Sequence, residues 1–415
     1  MQSTECSNTE KNMRIRSEYQ KILLFANGRL MEIHSRNYDR LYDALKGRDN
    51  SIGRMLKSVK FGFDRKIIVD IENAAEKSMQ LPPGPRDSFL FPLQMNFELT
   101  TKCPLRCPQC YCSLENGKEL DFERACEVLK DGAENGLWDA CLSGGETMLY
   151  PRIYDLIEEC TKLGVSSNIA LCGFGMDKTT LKRLIDAGTS HIFVSLNGSI
   201  EEINSLTRDG YAYALNALEL LREAGFPKTT VNFVAHNTNC DDFPNMVNLC
   251  EKYGVGELVV MAAKPTSKRE LDTIPSAEQT VRLAENIQKL QSRSKVSIGV
   301  ENCYSPLRAY LGKSFLLGNT NSGIWRGCSA GRYMASLDVD GNFTPCRHLL
   351  FAEKYKTIGE YWNRSGILDK IRNIEDSPGQ PCDGCEFGPY CLSCLAVNYK
   401  TEGLLEKRNK YCRVC

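Results

Sequence analysis

Between residues 89 and 301 the chain alternates strand-like and helix-like segments with a regularity that few folds satisfy. The strand-like segments are LQMNFEL (93–99), DACLS (139–143), SNIALC (167–172), HIFVSL (191–196), TVNFVAH (230–236) and ELVVMAA (257–263). Between them lie segments such as DFERACEVLKDGAENG (121–136), PRIYDLIEECTKLG (151–164) and KTTLKRLIDAG (178–188). Their apolar residues recur at three- and four-residue steps, and each closes on Gly, as helix C-termini prefer. SAEQTVRLAENIQKLQSR (276–293) completes the series. Six such units predict an α/β fold with a parallel sheet and right-handed crossovers. The sheet is either a partial (β/α)6 barrel of TIM type or doubly wound.

In parallel α/β folds, chemistry gathers where the C-terminal ends of the strands open into loops. The first strand runs into TKCPLRCPQCYC, which places Cys103, Cys107 and Cys110 at a C-x3-C-x2-C spacing. The second runs into Ser143-Gly144-Gly145-Glu146, the third ends at Cys172-Gly173, and the fourth at Ser195 to Gly198. All four features therefore share one mouth of the sheet. Iron–sulfur clusters are held by thiolates, and three cysteines would leave one iron of a four-iron cube open. An open metal position separates reactive sites from structural ones. The competing readings are a structural zinc loop or three unrelated core cysteines.

Twenty cysteines in 415 residues are a heavy load. The polar N-terminus, MQSTECSNTEKNMR, lacks the apolar core of an export signal, so the abundance reads as metal ligation in a reducing, cytoplasmic setting. Cys126, Cys141, Cys160 and Cys250 sit singly in apolar segments and read as small buried hydrophobes. Fifty-two basic and 52 acidic residues cancel, which argues against nucleic acid or an anionic membrane as partner. No apolar run approaches the ~18 residues of a membrane span. LPPGPRDS (81–88) reads as a linker. Before it, residues 19–47 look like a hairpin turning at Asn27-Gly28 and running into a helix. The expected domains are residues 1–85, 89–301 and 302–415, the last with short strands, turns and dense cysteines.

The three-cysteine loop after the first strand, with GGE after the second, resembles the radical SAM superfamily. The resemblance implies a [4Fe-4S] cluster on Cys103, Cys107 and Cys110, with S-adenosylmethionine chelating the open iron. Reductive cleavage would then release a 5′-deoxyadenosyl radical that abstracts a substrate hydrogen. Gly144 and Gly145 would let the backbone approach the cofactor, and Glu146 would accept from its ammonium group. Ser195 in VSLNGS would bond to the methionine carboxylate or the ribose, and Arg208 in NSLTRDG matches the position whose guanidinium reaches that carboxylate. For Arg208, a solvated arginine at a helix start is an equal alternative. Cys112 has no ligand role in the family pattern and reads as packing. Gln109, where an aromatic residue is common, and Cys172, where Asn or Thr is usual, depart from that pattern.

The C-terminal cysteines form a second pattern: Cys328, then Gly341 and Cys346 in DGNFTPC, then Cys382, Cys385, Cys391 and Cys394, then Cys412. Apart from one shortened spacing, this resembles the SPASM extension of radical SAM enzymes. The physical alternative is a zinc ribbon, because C-x2-C pairs also bind zinc. The resemblance implies two auxiliary [4Fe-4S] clusters, which makes three in all. The inner one would use Cys328, Cys346 and Cys394, with Cys303 or a substrate thiolate as fourth ligand. The outer one would use Cys382, Cys385, Cys391 and Cys412, with Cys415 competing for the last place. The N-terminal hairpin and helix resemble the winged-helix element of peptide-maturing enzymes, although a purely structural accessory domain fits too.

The expectation is therefore a radical SAM oxidoreductase that modifies a ribosomal precursor peptide with a leader, with a Cys thioether crosslink as the leading product. It would draw on an external one-electron donor of flavodoxin or ferredoxin type. A sulfatase-type maturase is the runner-up within the superfamily, but Arg347 stands where those enzymes carry an Asp base. A non-catalytic iron–sulfur carrier is the alternative from another class.

Overall fold

The computed structural model describes residues 13–405 apart from 27–28, 59–64, 85–87, 113–116, 266–267, 313–326, 375–384 and 388–390. The described residues divide into two compact units, the first ending at Leu90 and the second beginning at Phe91.

The first unit is an antiparallel sheet of β1 (Arg14–Glu18), β2 (Lys21–Ala26) and β3 (Arg29–His34), in that order. Helices at Tyr38–Leu45, Ser51–Ser58 and Arg65–Gln80 follow. Ile22, Leu24 and Ala26 alternate along β2, as one face of a strand must, and enclose a core with Met31, Ile33, Leu41, Leu56, Ile71 and Ala75. The expected hairpin is present, with Ala26 paired to Arg29. Its turn residues, Asn27 and Gly28, lie outside the described residues. Strand β1 was not foreseen, because RIRSE carries three charges. Arg16 and Glu18 stand on one face of it and bond to each other while buried, which removes the cost of hiding either charge alone. Glu18 also accepts the Leu90 N–H at 2.8 Å, tying down the end of the unit.

The second unit holds a nine-stranded sheet. Its strands are β4 (Gln94–Glu98), β5 (Asp139–Ser143), β6 (Ser166–Leu171), β7 (His191–Ser195), β8 (Thr229–Ala235), β9 (Glu257–Ala262), β10 (Ser297–Val300), β11 (Met334–Leu337) and β12 (Phe343–Thr344). The spatial order is β10-β9-β8-β7-β6-β5-β4-β11-β12, parallel throughout except for the β11–β12 hairpin. From β4 to β10 neighbours in space are neighbours in sequence, with no switch point. A doubly wound sheet reverses its strand order at such a point, so the architecture is the partial, TIM-barrel-like one. Alternating residues such as Ile169, Leu171, Ile192, Val194, Val231, Phe233, Leu258 and Val260 form its buried core.

Each of the six expected strands forms within one or two residues of its expected bounds. Helix starts are capped as their sequences suggest: Asp121 accepts the Arg124 N–H at 2.8 Å, and Ser276 with Gln279 makes a reciprocal capping box. Beyond the six units the sheet continues, with β10 beside β9 and β11 beside β4. No helix among the described residues is long and apolar enough to cross a membrane.

Candidate functional site

Backbone hydrogen bonds stitch the loop after β4 to the turn after β5. Leu99 N–H donates to Ser143 O at 2.7 Å, Gly145 N–H to Thr100 O at 2.6 Å and Glu146 N–H to Lys102 O at 2.8 Å. A Cβ on Gly144 would lie 2.4 Å from Thr100 O, and one on Gly145 2.2 Å from Lys102 O. The glycine pair is thus required by the approach of the cysteine loop itself. Asp209 holds the same loop from the other side, accepting the Arg106 N–H at 2.9 Å. Cys103, Cys107 and Cys110 are consequently presented at the C-terminal ends of β4, β5 and β7.

These three cysteines, Gly144, Gly145, Ser195 and Arg208 line one cavity of about 250 Å³. Seven of the eight residues expected around the cofactor therefore converge. Two polar atoms in this wall, Gln109 Oε1 and Arg208 Nε, are buried without a hydrogen-bond partner. Buried polar groups normally find one, so the wall suits a polar ligand. The eighth residue, Glu146, is 1 % exposed and does not line the cavity. Its carboxylate accepts the Cys172 N–H at 2.8 Å and the Met148 N–H at 3.3 Å, and burial pushes its pKa up. Glu146 thereby fixes the third-strand turn, where Cys172 joins the cavity lining.

Cys112, expected only to pack, also lines the cavity and donates to Gly144 O at 3.3 Å. Its contact with Cys110 pushes the Cys110 thiol down.

Several lining or supporting residues escaped the sequence reading. Asn197 orders the loop that carries Arg208: it bonds to Asn204 and Thr207, and Asn204 in turn donates to Arg208 O at 2.7 Å. Only the surrounding VSLNGS segment hinted at it. The cavity lining also includes Tyr111, Lys264, Arg347 and His348. The Tyr111 and His348 rings pack at 4.3 Å, and Arg347 donates to Ser143 Oγ at 3.0 Å. Arg347 and His348 follow Cys346 directly, so the hairpin cysteine sits just behind this wall.

Cys303, Cys328, Cys346 and Cys394 gather behind it in an apolar surround of Leu349, Ile371, Leu392 and Leu395. The Cys303 sulfur lies within hydrogen-bonding reach of both Cys328 and Cys394. That contact pushes the Cys328 thiol down and lowers Cys394 as well. Cys346 lies within electrostatic reach of Cys328 and Cys394. Of the two candidates for a fourth partner, Cys303 is thus beside Cys328 and Cys394. Among the described residues no three His, Cys, Asp or Glu side chains close around a point as ligands of a single metal ion do. Of the outer set, Cys382 and Cys412 lie outside the described residues, as does Cys415. Cys391 is half-buried, and Cys385 is disulfide-bonded, a bond that would have to be reduced before its sulfur could take iron.

Comparison with known proteins agrees with this geometry. Residues 97–250 match the family model of the Radical SAM superfamily. The chain is 34% identical over 331 residues to the PqqA peptide cyclase of Methylorubrum populi, covering 73% of this chain and 80% of the relative. Against the PqqA peptide cyclase of Gluconobacter oxydans it is 28% identical over 313 residues, covering 71% and 83%. Among solved structures, SuiB of Streptococcus suis bound to the precursor peptide SuiA superposes with a TM-score of 0.74 at 15% identity, covering 98% of this chain and 99% of that one. The enzyme anSMEcpe with bound AdoMet and the Cp18Cys peptide gives 0.61 at 15% identity, covering 78% and 94%. At such identities these two likenesses speak for the fold. The chain belongs to the radical SAM superfamily, as a relative of the PqqA peptide cyclases.

Proposed function

We propose that the chain is a radical SAM peptide maturase that crosslinks a ribosomal precursor peptide, with a Cys thioether as the first product to seek. The observation that carries this is the cavity itself. It is lined by Cys103, Cys107 and Cys110 together with Arg347 and His348, which directly follow Cys346 of the second cysteine cluster. Peptide as substrate is supported by the PqqA peptide cyclase relatives and by SuiB, whose structure holds its precursor peptide.

Cys103, Cys107 and Cys110 would hold a [4Fe-4S] cluster, and Cys303, Cys328, Cys346 and Cys394 an auxiliary one. Cys391 with Cys382, Cys385 and Cys412 would hold a third. When bound, the first cluster and S-adenosylmethionine would supply a 5′-deoxyadenosyl radical able to take a substrate hydrogen. Arg208 would pair with the methionine carboxylate through its unpartnered Nε, and Ser195 would bond to the carboxylate or the ribose. Glu146 holds the Cys172 turn in register through the Cys172 N–H. Leu105, Leu171 and Met261 give the cavity apolar lining. Arg347, a cation bonded to Ser143, stands where a sulfatase-type maturase needs a carboxylate base, which sets that reading aside.

The test is anaerobic reconstitution with iron, sulfide, S-adenosylmethionine and a strong reductant, followed by addition of a cognate precursor peptide. Deoxyadenosine is expected without peptide, and with peptide a product lighter by two hydrogens whose cysteine no longer alkylates. Absence of deoxyadenosine would sink the radical reading. A peptide of unchanged mass would sink the crosslink.

A further inference from the structure

Lys264 belongs to both halves of this site. It follows β9, lines the reaction cavity, and reaches Cys303 and Cys394 electrostatically from its other side. Its ammonium is bonded to both carboxylate oxygens of Glu301, at 2.6 and 2.7 Å, with 9 % of the side chain exposed. Glu301 follows the neighbouring strand β10 and also accepts the Ala262 N–H at 3.1 Å, which clamps the two strand ends together. Two further buried cations surround the same thiols: Arg308 acts on Cys303, and Arg332 on Cys328. Buried charges are costly unless compensated, and these three cations place positive potential at the thiols.

We propose that Lys264, held by Glu301, raises the reduction potential of an iron–sulfur centre on Cys303, Cys328, Cys346 and Cys394, so that this centre accepts the electron left on the substrate. The inference rests on the function proposed above. In the step concerned, the substrate hydrogen has already gone to 5′-deoxyadenosine. The carbon radical would bond to a substrate nucleophile whose proton would leave to water, and a centre held by these four cysteines would supply the acceptor for the one electron released. A fixed positive charge favours the more negative member of a redox pair, and solvent screens a buried charge weakly. Net charge and burial are among the means by which proteins set such potentials. The position of Lys264 between cavity and cysteines puts that charge on the electron's path. Glu301 acts in two ways: it opposes the ammonium's charge, and through the two-residue link to Cys303 it positions that sulfur.

The test uses the full chain with Cys103, Cys107 and Cys110 all replaced by Ala, reconstituted anaerobically and titrated with redox mediators while EPR is recorded. The inner centre's signal is the one that disappears when Cys346→Ala is added. Lys264→Met is expected to lower the ratio of reduced to oxidised centre at fixed potential about tenfold, or about 59 mV for one electron. Glu301→Gln is expected to move the ratio the opposite way, and Lys264→Arg to restore it. A pair with only a structural role would move both variants in the same direction together with a loss of bound iron, and that result overturns the proposal. Unchanged ratios in both variants overturn it as well. Iron analysis of the parent is read separately: iron absent from these cysteines would remove the proposed auxiliary centre itself along with this inference.

Discussion

His191 shows how a single side chain can be read for its energetic consequence. Its Nε2 lies 2.7 Å from Thr230 Oγ1 across the β7–β8 pair, and its ring stacks on Phe193 at 4.2 Å. Burial, aided by Lys228, pushes its pKa down to about 4 from an ordinary 6.5. Between those values the unfolded chain binds a proton that the folded chain refuses. This contribution to stability is therefore complete above pH 6.5 and is lost as pH falls toward 4. His191→Gln should remove that slope. The gap in urea midpoint between parent and variant is expected to shift against the parent between about pH 7.5 and about pH 5; a gap identical at both would mean the imidazole is not held neutral. At this scale, legibility followed residue type. Cysteines advertise themselves by spacing, so Cys103, Cys107, Cys110 and the Cys303 group could be named in advance. Asn197, Asp209 and Lys264 could not, because a polar residue in a loop looks the same whether it faces solvent or organises a site. Glu146 was named, yet its two backbone partners come from a turn and a strand end that only the fold brings together.

The elements divide the same way. Strands β4 to β9 each precede a helix of regular period, so every unit carries its own local signal. Strands β10, β11 and β12 are four, four and two residues long, too short for a period to show. Strand β11 also finds its partner far along the chain, where Asn96 Nδ2 donates to Ser336 Oγ at 3.3 Å across 240 residues. No local pattern encodes that pairing. Its consequence is that β4, which presents the cysteine loop, is an inner strand only because β11 covers it. A chain cut after residue 301 would leave the β4 edge unpaired, an open template for pairing with other chains. Residues 91–301 are accordingly expected to aggregate where residues 91–415 stay monodisperse, as size-exclusion chromatography would show. A monomeric 91–301 fragment would mean that β11 is dispensable to the barrel.

At the scale of the molecule, the division at Leu90 separates two kinds of task. The first unit has its own buried core and secures its last residue through Glu18, so it has what a module needs to fold alone. The second contains every described residue assigned to the cavity and to the cysteine cluster behind it. If the first unit grips the leader of a precursor peptide, as its resemblance to peptide-recognition elements suggested, its contribution is tethering. Tethering raises the effective concentration of the substrate without touching the chemistry and is worth about 10²-fold or more. Residues 91–415 alone should then cleave S-adenosylmethionine without peptide at the parent's rate, while modifying the precursor at a kcat/KM lower by about that factor. Supplied as a separate chain, residues 1–90 should bind the leader yet fail to restore the rate, because the tether is what was lost. Deoxyadenosine by chromatography and peptide mass by spectrometry read the two activities independently. Equal peptide modification with and without the first unit would place leader recognition in the second unit instead, beside the cavity.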